Sequence, residues 1–260
     1  MEYPSKKENH DFWVERIKTN SPDKVCTNDV GLDQLESNQI FNKISNNKRI
    51  LEIGCGNGLL YEEIKNKFNP KRYLGTDFVQ ELIEICNKKR GINDDFLKLD
   101  MTEINSSTFN EKFDFIISKR AIQNVLDTQL QINTIENLGN FLDDNGFMVF
   151  VESSKNGQEN INKERIKFGL EEIMPPYHNL FFDDNVITNY SFKNVRLVET
   201  IPFASDFYFI TRLVYSRYAK EYLNEKPNYD HPLEKIALSM TGESYTKRFS
   251  QIKTYIFKKK

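Results

Sequence analysis

The hydrophobic positions of this chain form short continuous runs, separated by stretches with helical spacing. The runs predict seven strands: residues 50–53, 72–76, 96–99, 113–118, 147–151, 195–200 and 254–257. Helices with one apolar face are predicted at 32–44, 60–68, 79–86, 135–142 and 210–218. Strands alternating with helices over short links are typical of an α/β fold with a doubly wound, mostly parallel sheet.

The pattern changes after the fifth predicted strand. Residues 152–189 are polar and are interrupted by Asn156-Gly157 and Pro175-Pro176, which favour turns. This stretch fits neither a clean strand nor one long helix. We expect an inserted lid over the strand ends at about residues 153–190.

Charge and cysteine usage exclude several classes of protein. The 36 basic and 38 acidic side chains nearly cancel, so no nucleic-acid partner is expected. The widely spaced Cys26, Cys55 and Cys86 predict reduced thiols and no metal site. No apolar run is long enough to span a bilayer, and residues 1–20 lack the apolar core of a signal peptide. We therefore expect a cytoplasmic protein that does not bind membranes.

One segment carries the strongest chemical signal: Leu51-Glu52-Ile53-Gly54-Cys55-Gly56-Asn57-Gly58. A strand leads into a turn in which three glycines can adopt positive φ and bring the backbone close to a ligand. The next two strands end in Thr76-Asp77-Phe78 and Asp100-Met101. Because ligands of open parallel sheets bind outside the carboxyl ends of the strands, these acids are expected at one site. A carboxylate such as Asp77 can accept both hydroxyls of a ribose.

The spacing G-x-G-x-G, with its leading Glu52 and the two later acids, resembles the class I S-adenosylmethionine-dependent methyltransferases. The resemblance covers about residues 32–151. It implies a seven-stranded Rossmann-like sheet, an N-terminal arm at 1–31 and a methyltransferase domain at 32–260. S-adenosylmethionine would be the cofactor and S-adenosylhomocysteine the product.

The resemblance also assigns the cofactor residues. Glu52 and the glycine loop would face the methionine part, Asp77 the ribose, and Phe78, Asp100 and Met101 the adenine. The complete expected cofactor set is Glu52, Gly54, Gly56, Gly58, Asp77, Phe78, Asp100, Met101 and Ser118.

The acceptor side offers weaker signals. His178 is the candidate general base, with an ordinary loop histidine as the alternative. Arg120 follows the fourth strand and is the candidate catalytic and anion-binding arginine, although arginines more often form surface salt bridges. The complete expected substrate set is Arg120, Arg165, Tyr177, His178, Tyr208 and Arg212. Phe12-Trp13 either folds over the cofactor or anchors the arm.

These observations favour O-methylation of a small polar acceptor, anionic or sugar-like. The position where nucleobase methyltransferases of this fold carry Asn/Asp-Pro-Pro-Tyr reads Ser118-Lys119-Arg120-Ala121 here, which argues against nucleic-acid substrates. Residues 152–189 and 207–218 also resemble a bacterial subgroup found with surface-polysaccharide (capsule) modification, which implies a phosphorylated or nucleotide-linked sugar-type acceptor. N-methylation, an NAD-dependent oxidoreductase and a non-catalytic partner protein remain the alternatives.

Overall fold

The computed structural model describes residues 4–240 and 248–260 and contains a seven-stranded sheet in the order β3-β2-β1-β4-β5-β7-β6. The strands are β1 Arg49–Ile53, β2 Arg72–Asp77, β3 Asp94–Lys98, β4 Phe113–Lys119, β5 Leu142–Ser153, β6 Val195–Pro202 and β7 Ile252–Lys259. Strands β1 to β5 pair in parallel, whereas β7 runs antiparallel to both of its neighbours. The mostly parallel, doubly wound sheet is therefore confirmed.

Helices cover both faces of this sheet. They are α1 Lys6–Thr19, α2 Val30–Phe41, α3 Leu59–Lys67, α4 Gln80–Asn87, α5 Thr128–Gly139, α6 Lys155–Lys167 and α7 Asp184–Asn189, followed by α8 at residues 205–223 and α9 Pro232–Ser239. Helix α8 is unusual because it alternates α-helical turns with π-helical ones at Phe209–Tyr215 and Ala219–Leu223. Within the described ranges, no helix combines the length and apolarity that crossing a membrane requires.

Each central strand contributes side chains to two cores. In β1, Ile50 packs into the core that includes α2, α3 and α8, while Leu51 packs into the one that includes α5 and α7. Both side chains are fully buried, as expected where successive residues point to opposite faces of a covered sheet. The continuous apolar runs of the sequence follow from this double burial.

Several boundaries differ from those predicted, and three of the differences lie close to β5 or α2. Leu142 begins β5 instead of ending a helix, and it pairs with Phe113 before a register shift in the ladder. Helix α2 ends at Phe41 rather than at residue 44. The predicted lid is also more regular than expected: Glu152 and Ser153 still belong to β5. Helix α6 then begins at once, because the Ser154 side chain accepts a hydrogen bond from the first turn.

Candidate functional site

The glycine loop between β1 and α3 needs its glycines for two reasons. Gly54, Gly56 and Gly58 have φ angles of 71°, 53° and 79°, a region that L-residues avoid. A Cβ on Gly54 would also lie 2.1 Å from the Cβ of Ala121, which follows β4. The loop can therefore approach the residue after β4 this closely only because position 54 has no side chain.

A cavity of about 390 Å³ opens beside this loop. Its floor comes from Gly54, Gly56 and the residues after β2, β3 and β4, and its cover comes from α1 and the residues before it. The arm thus contributes Trp13, whereas the lining includes no residue of the predicted lid, 153–190. In this structure the N-terminal arm forms the cover of the cavity. The volume suits a small ligand.

Asp77 lies at the carboxyl end of β2, in the wall of the cavity. Its two carboxylate oxygens accept hydrogen bonds from the backbone N–H groups of Gly56 (2.9 Å) and Val79 (3.0 Å). Because each oxygen has a second acceptor site, the carboxylate can still receive two hydroxyl groups. Burial raises the pKa of Asp77 to about 6, so it is ionised at neutral pH.

Phe78, Asp100 and Met101 line one end of the same cavity. Asp100 accepts hydrogen bonds from the Lys6 ammonium (2.7 Å) and from Thr102. Burial opposes its ionisation, but these bonds hold the pKa of Asp100 below its usual value. A flat aromatic face, a thioether and a charged acceptor make this end suitable for an adenine ring.

Three residues of the expected cofactor set do not line the cavity. Glu52 is buried and accepts a hydrogen bond from the Tyr73 hydroxyl, and burial raises its pKa to about 7. Gly58 is the N-cap of α3, and Ser118 donates to Glu152 at 2.6 Å. In this structure these three residues support the loops behind the lining of the cavity.

Glu152 is a structural residue that the sequence did not identify. Its carboxylate accepts hydrogen bonds from the backbone N–H groups of Ala121 (3.2 Å), Ile122 (3.0 Å) and Gln123 (3.2 Å). Burial raises its pKa to about 7. The side chain therefore fixes the loop after β4 that lines the cavity.

Arg120 and its neighbour Lys119 line the cavity beside Asp33, a residue of α2. Lys119 donates to Asp33 at 2.9 Å and to Ser37 at 3.1 Å. The Arg120 guanidinium pairs with Asp33 at 3.3 Å and, through Nε, with Glu36 at 2.9 Å. Two carboxylates of one helix thus hold both cations at the cavity wall. The only sequence signal for this arrangement was two acids one turn apart on a largely apolar helix.

The expected base lies elsewhere. His178 is 9% exposed and packs on Phe12, with ring centroids 4.1 Å apart, and edge-on to Trp13 and Tyr177. It does not line the cavity, and burial together with Arg16 lowers its pKa to about 4. Tyr177 contacts Phe12 and is 52% exposed. In this structure His178 and Tyr177 pack against Phe12 of α1 and lie outside the lining of the cavity.

The remaining expected acceptor residues also lie outside the cavity wall. Arg165 donates to the backbone carbonyls of Glu171 (2.7 Å) and Arg212. Arg212 is held between Asp29 and Glu234, and it lies beside the ring of the buried Tyr208. Arg165 and Arg212 line a separate cavity of about 540 Å³. Their charges support the packing of α8 and do not face the glycine loop.

Known proteins with related sequences are methyltransferases. Residues 44–195, more than half of the chain, match the family model described as a methyltransferase domain. The chain is 28% identical over 120 residues to a malonyl-[acyl-carrier protein] O-methyltransferase of Bacillus anthracis and 34% identical over 114 residues to one of Calditerrivibrio nitroreducens. These alignments cover 46% and 44% of the chain but only 42% and 40% of the two relatives.

Solved structures with this fold span nearly the whole chain. A complex between the Haloferax volcanii Trm112 methyltransferase activator and a methyltransferase matches with a TM-score of 0.62 at 14% identity, over 97% of this chain and 96% of that one. N-methyltransferase NodS of Bradyrhizobium japonicum, in complex with S-adenosyl-L-homocysteine, matches with a TM-score of 0.55 at 15% identity, over 95% and 98%. At such identities the likeness concerns the fold alone.

The family match and the fold agree with the cavity. The seven-stranded sheet, the glycine loop and the acids after β2 and β3 are those that the sequence resemblance implied. The same findings exclude the NAD-dependent oxidoreductase that the sequence left open. The chain belongs to the methyltransferase domain family.

Proposed function

We propose that this enzyme transfers the methyl group of S-adenosylmethionine to an anionic oxygen, a carboxylate or phosphoryl oxygen, of a small polar acceptor. The observation that carries the proposal is the pair Lys119 and Arg120 in the wall of the cavity that the glycine loop also lines. Cationic side chains in a partly desolvated wall bind anions strongly.

The residues of the cavity suit the cofactor. Asp77 has free acceptor positions for the ribose hydroxyls, and Phe78 and Met101 offer apolar surface to the adenine. Gly54 presents bare backbone to the cavity, and a Cβ there would collide with Ala121 of the same wall. When bound, the cofactor supplies an electrophilic methyl group on a positively charged sulfur.

An anionic acceptor also agrees with a cavity whose described lining contains no histidine to act as a general base. In methyl transfer the carbon–sulfur bond breaks as the carbon–oxygen bond forms, and the oxyanion and sulfonium charges cancel. An oxygen that is already ionised needs no general base, whereas a neutral hydroxyl benefits from one. His178 lies outside the cavity, and among the described residues no histidine lines it. The protein's main contribution is then to position donor and acceptor.

The curated relatives support this acceptor class. They are named as O-methyltransferases of malonyl-[acyl-carrier protein], and a malonyl group ends in a carboxylate. The chain spans only about two fifths of the length of these relatives, so their acceptor is not assumed for this chain. A carrier-bound acyl group is one of two candidate acceptors to be tested. A nucleotide-linked or phosphorylated sugar, as in surface-polysaccharide modification, is the other candidate.

The test is a methyl-transfer assay by mass spectrometry with four acceptor classes: malonyl thioesters, sugar phosphates, nucleotide sugars and neutral amines. We expect methyl esters from an acid acceptor. Lys119→Met should raise the acceptor KM at least tenfold while the affinity for S-adenosylhomocysteine stays within about threefold of wild type. Lys98→Met, which removes an exposed lysine outside the cavity, is the matched control. Turnover of amines but of no acid would overturn the proposal.

A further inference from the structure

Glu36 is a buried acid behind the acceptor side of the cavity. Its side chain is inaccessible to solvent, and its Oε2 lies 2.9 Å from Nε of Arg120. Neither carboxylate oxygen has a hydrogen bond within the described part of the chain. A buried carboxylate without hydrogen bonds is costly to keep ionised, so this environment favours the protonated form of Glu36.

The charged and titratable groups around Glu36 come from three elements. Asp29 is the N-cap of α2 and Asp33 belongs to that helix. Lys119 ends β4 and Arg120 follows it, and Tyr208 belongs to α8. Asp33 keeps a pKa below its usual value despite burial, because Lys119 and Arg120 face it. Burial keeps the pKa of the Tyr208 hydroxyl well above its usual value. Neither group changes charge near neutral pH.

The charge of the cavity wall therefore depends on Glu36. Lys119 and Arg120 face two carboxylates, Asp33 and Glu36, and the four groups sum to zero when both acids are ionised. With Glu36 protonated the same set carries one net positive charge. Burial raises the pKa of Glu36 to about 8, so both forms are accessible near neutral pH.

We propose that Glu36 is a positioning residue that takes up a proton when an anionic acceptor binds to Lys119 and Arg120. This inference rests on the proposed function, because it requires an acceptor with negative charge. The incoming anion and the ionised Glu36 compete for the same guanidinium. Protonation of Glu36 removes the competing charge and leaves the anion as the second partner of Arg120.

The direction of the pH effect follows from this competition. Below about pH 8 Glu36 is largely neutral in the free enzyme, so the anion binds without a proton. Above that pH each binding event draws in a proton, and acceptor affinity falls by up to about tenfold per pH unit. A role in folding alone would lower activity equally at every pH.

The direct test is proton counting by calorimetry. Malonate and, separately, inorganic phosphate are titrated into the enzyme saturated with S-adenosylhomocysteine at pH 8, in two buffers of different ionisation enthalpy. Wild type should take up as much as roughly half a proton per bound anion, the share of Glu36 that is ionised when the pH equals its pKa. Glu36→Gln should bind the anion with no proton uptake. Glu84→Gln, which alters an exposed acid on α4, should behave as wild type.

The outcomes separate the two proposals. If neither anion binds to wild type at any pH, the anionic acceptor and this inference both fall. If an anion binds without proton uptake, or if Glu36→Gln keeps the wild-type pH dependence between pH 7 and 9.5, only the role of Glu36 is overturned. Should Glu36→Gln not fold, the proton count of the wild type still decides.

Discussion

Replacing Gly54 with alanine tests the geometry of the cavity most simply. The φ of Gly54 is 71°, and an added Cβ would lie 2.1 Å from the Cβ of Ala121 and 3.8 Å from Cε of Met101. The first contact is far below van der Waals distance, so the loop after β4 must move. Glu152 holds that loop through three backbone N–H groups, which makes the movement costly.

The magnitude has two parts. A left-handed conformation costs an L-residue about 1–2 kcal/mol relative to glycine. Overpacking against a fixed neighbour adds about 1–3 kcal/mol. Gly54→Ala should therefore lower the free energy of unfolding by about 2–5 kcal/mol, since the two terms act on the same position. It should also weaken the binding of S-adenosylhomocysteine, because the new methyl group stands in the cavity wall.

The assay is denaturant unfolding of Gly54→Ala, Ala121→Gly and the double variant. Ala121→Gly removes the other carbon of the 2.1 Å contact, so the double variant should recover the overpacking part and keep the φ part. Gly31→Ala is the control: its Cβ meets no atom closer than 3.7 Å, and we expect no loss of stability. Equal stability of Gly54→Ala and wild type, or no recovery in the double variant, would refute the reasoning.

Three further predictions follow from buried side chains. Asp77 has a pKa raised to about 6 and must be ionised to accept the ribose hydroxyls, so affinity for S-adenosylhomocysteine should fall below pH 6. Asp77→Asn should bind weakly and show no such pH dependence. A wild-type affinity that does not change with pH in calorimetry would contradict this prediction. His178→Ala removes the ring packing that anchors α1, so it should lower both cofactor affinity and thermal stability. Normal cofactor affinity with lost turnover would instead support His178 as the general base. Glu152→Gln turns an amide N–H₂ toward backbone N–H donors and should lower the free energy of unfolding by about 1–3 kcal/mol. An unchanged midpoint in denaturant unfolding would refute the role of Glu152 in fixing the loop after β4.

The sheet could be predicted because each central strand is buried on both faces and appears as a continuous apolar run. Leu142 shows where this reasoning fails. It continues the helical spacing of Ile135 and Leu138, yet it pairs with Phe113 at the start of β5. Only the pairing with Phe113, which is remote in sequence, decides whether Leu142 ends a helix or begins a strand.

The site likewise contains residues whose position the sequence could predict and others whose position it could not. The placement of Gly54 and Asp77 beside one cavity could be predicted, because both lie at the carboxyl ends of neighbouring strands. The pairs Lys6–Asp100 and Asp33–Lys119 join residues 94 and 86 positions apart, and they depend on how α1 and α2 dock. Neither helix carries a sequence motif that predicts such a contact. For that reason the sequence placed a lid in the polar segment after β5 and left open whether Phe12-Trp13 folds over the cofactor.

The central claim is that one cavity holds the methyl donor beside the two cations of the acceptor side. A crystal structure with S-adenosylhomocysteine tests it most directly. The account predicts ribose hydroxyls on Asp77, adenine between Phe78 and Met101, and the sulfur facing the side where Lys119 and Arg120 lie. A nucleoside bound outside this cavity, or a sulfur that faces away from those cations, would contradict it.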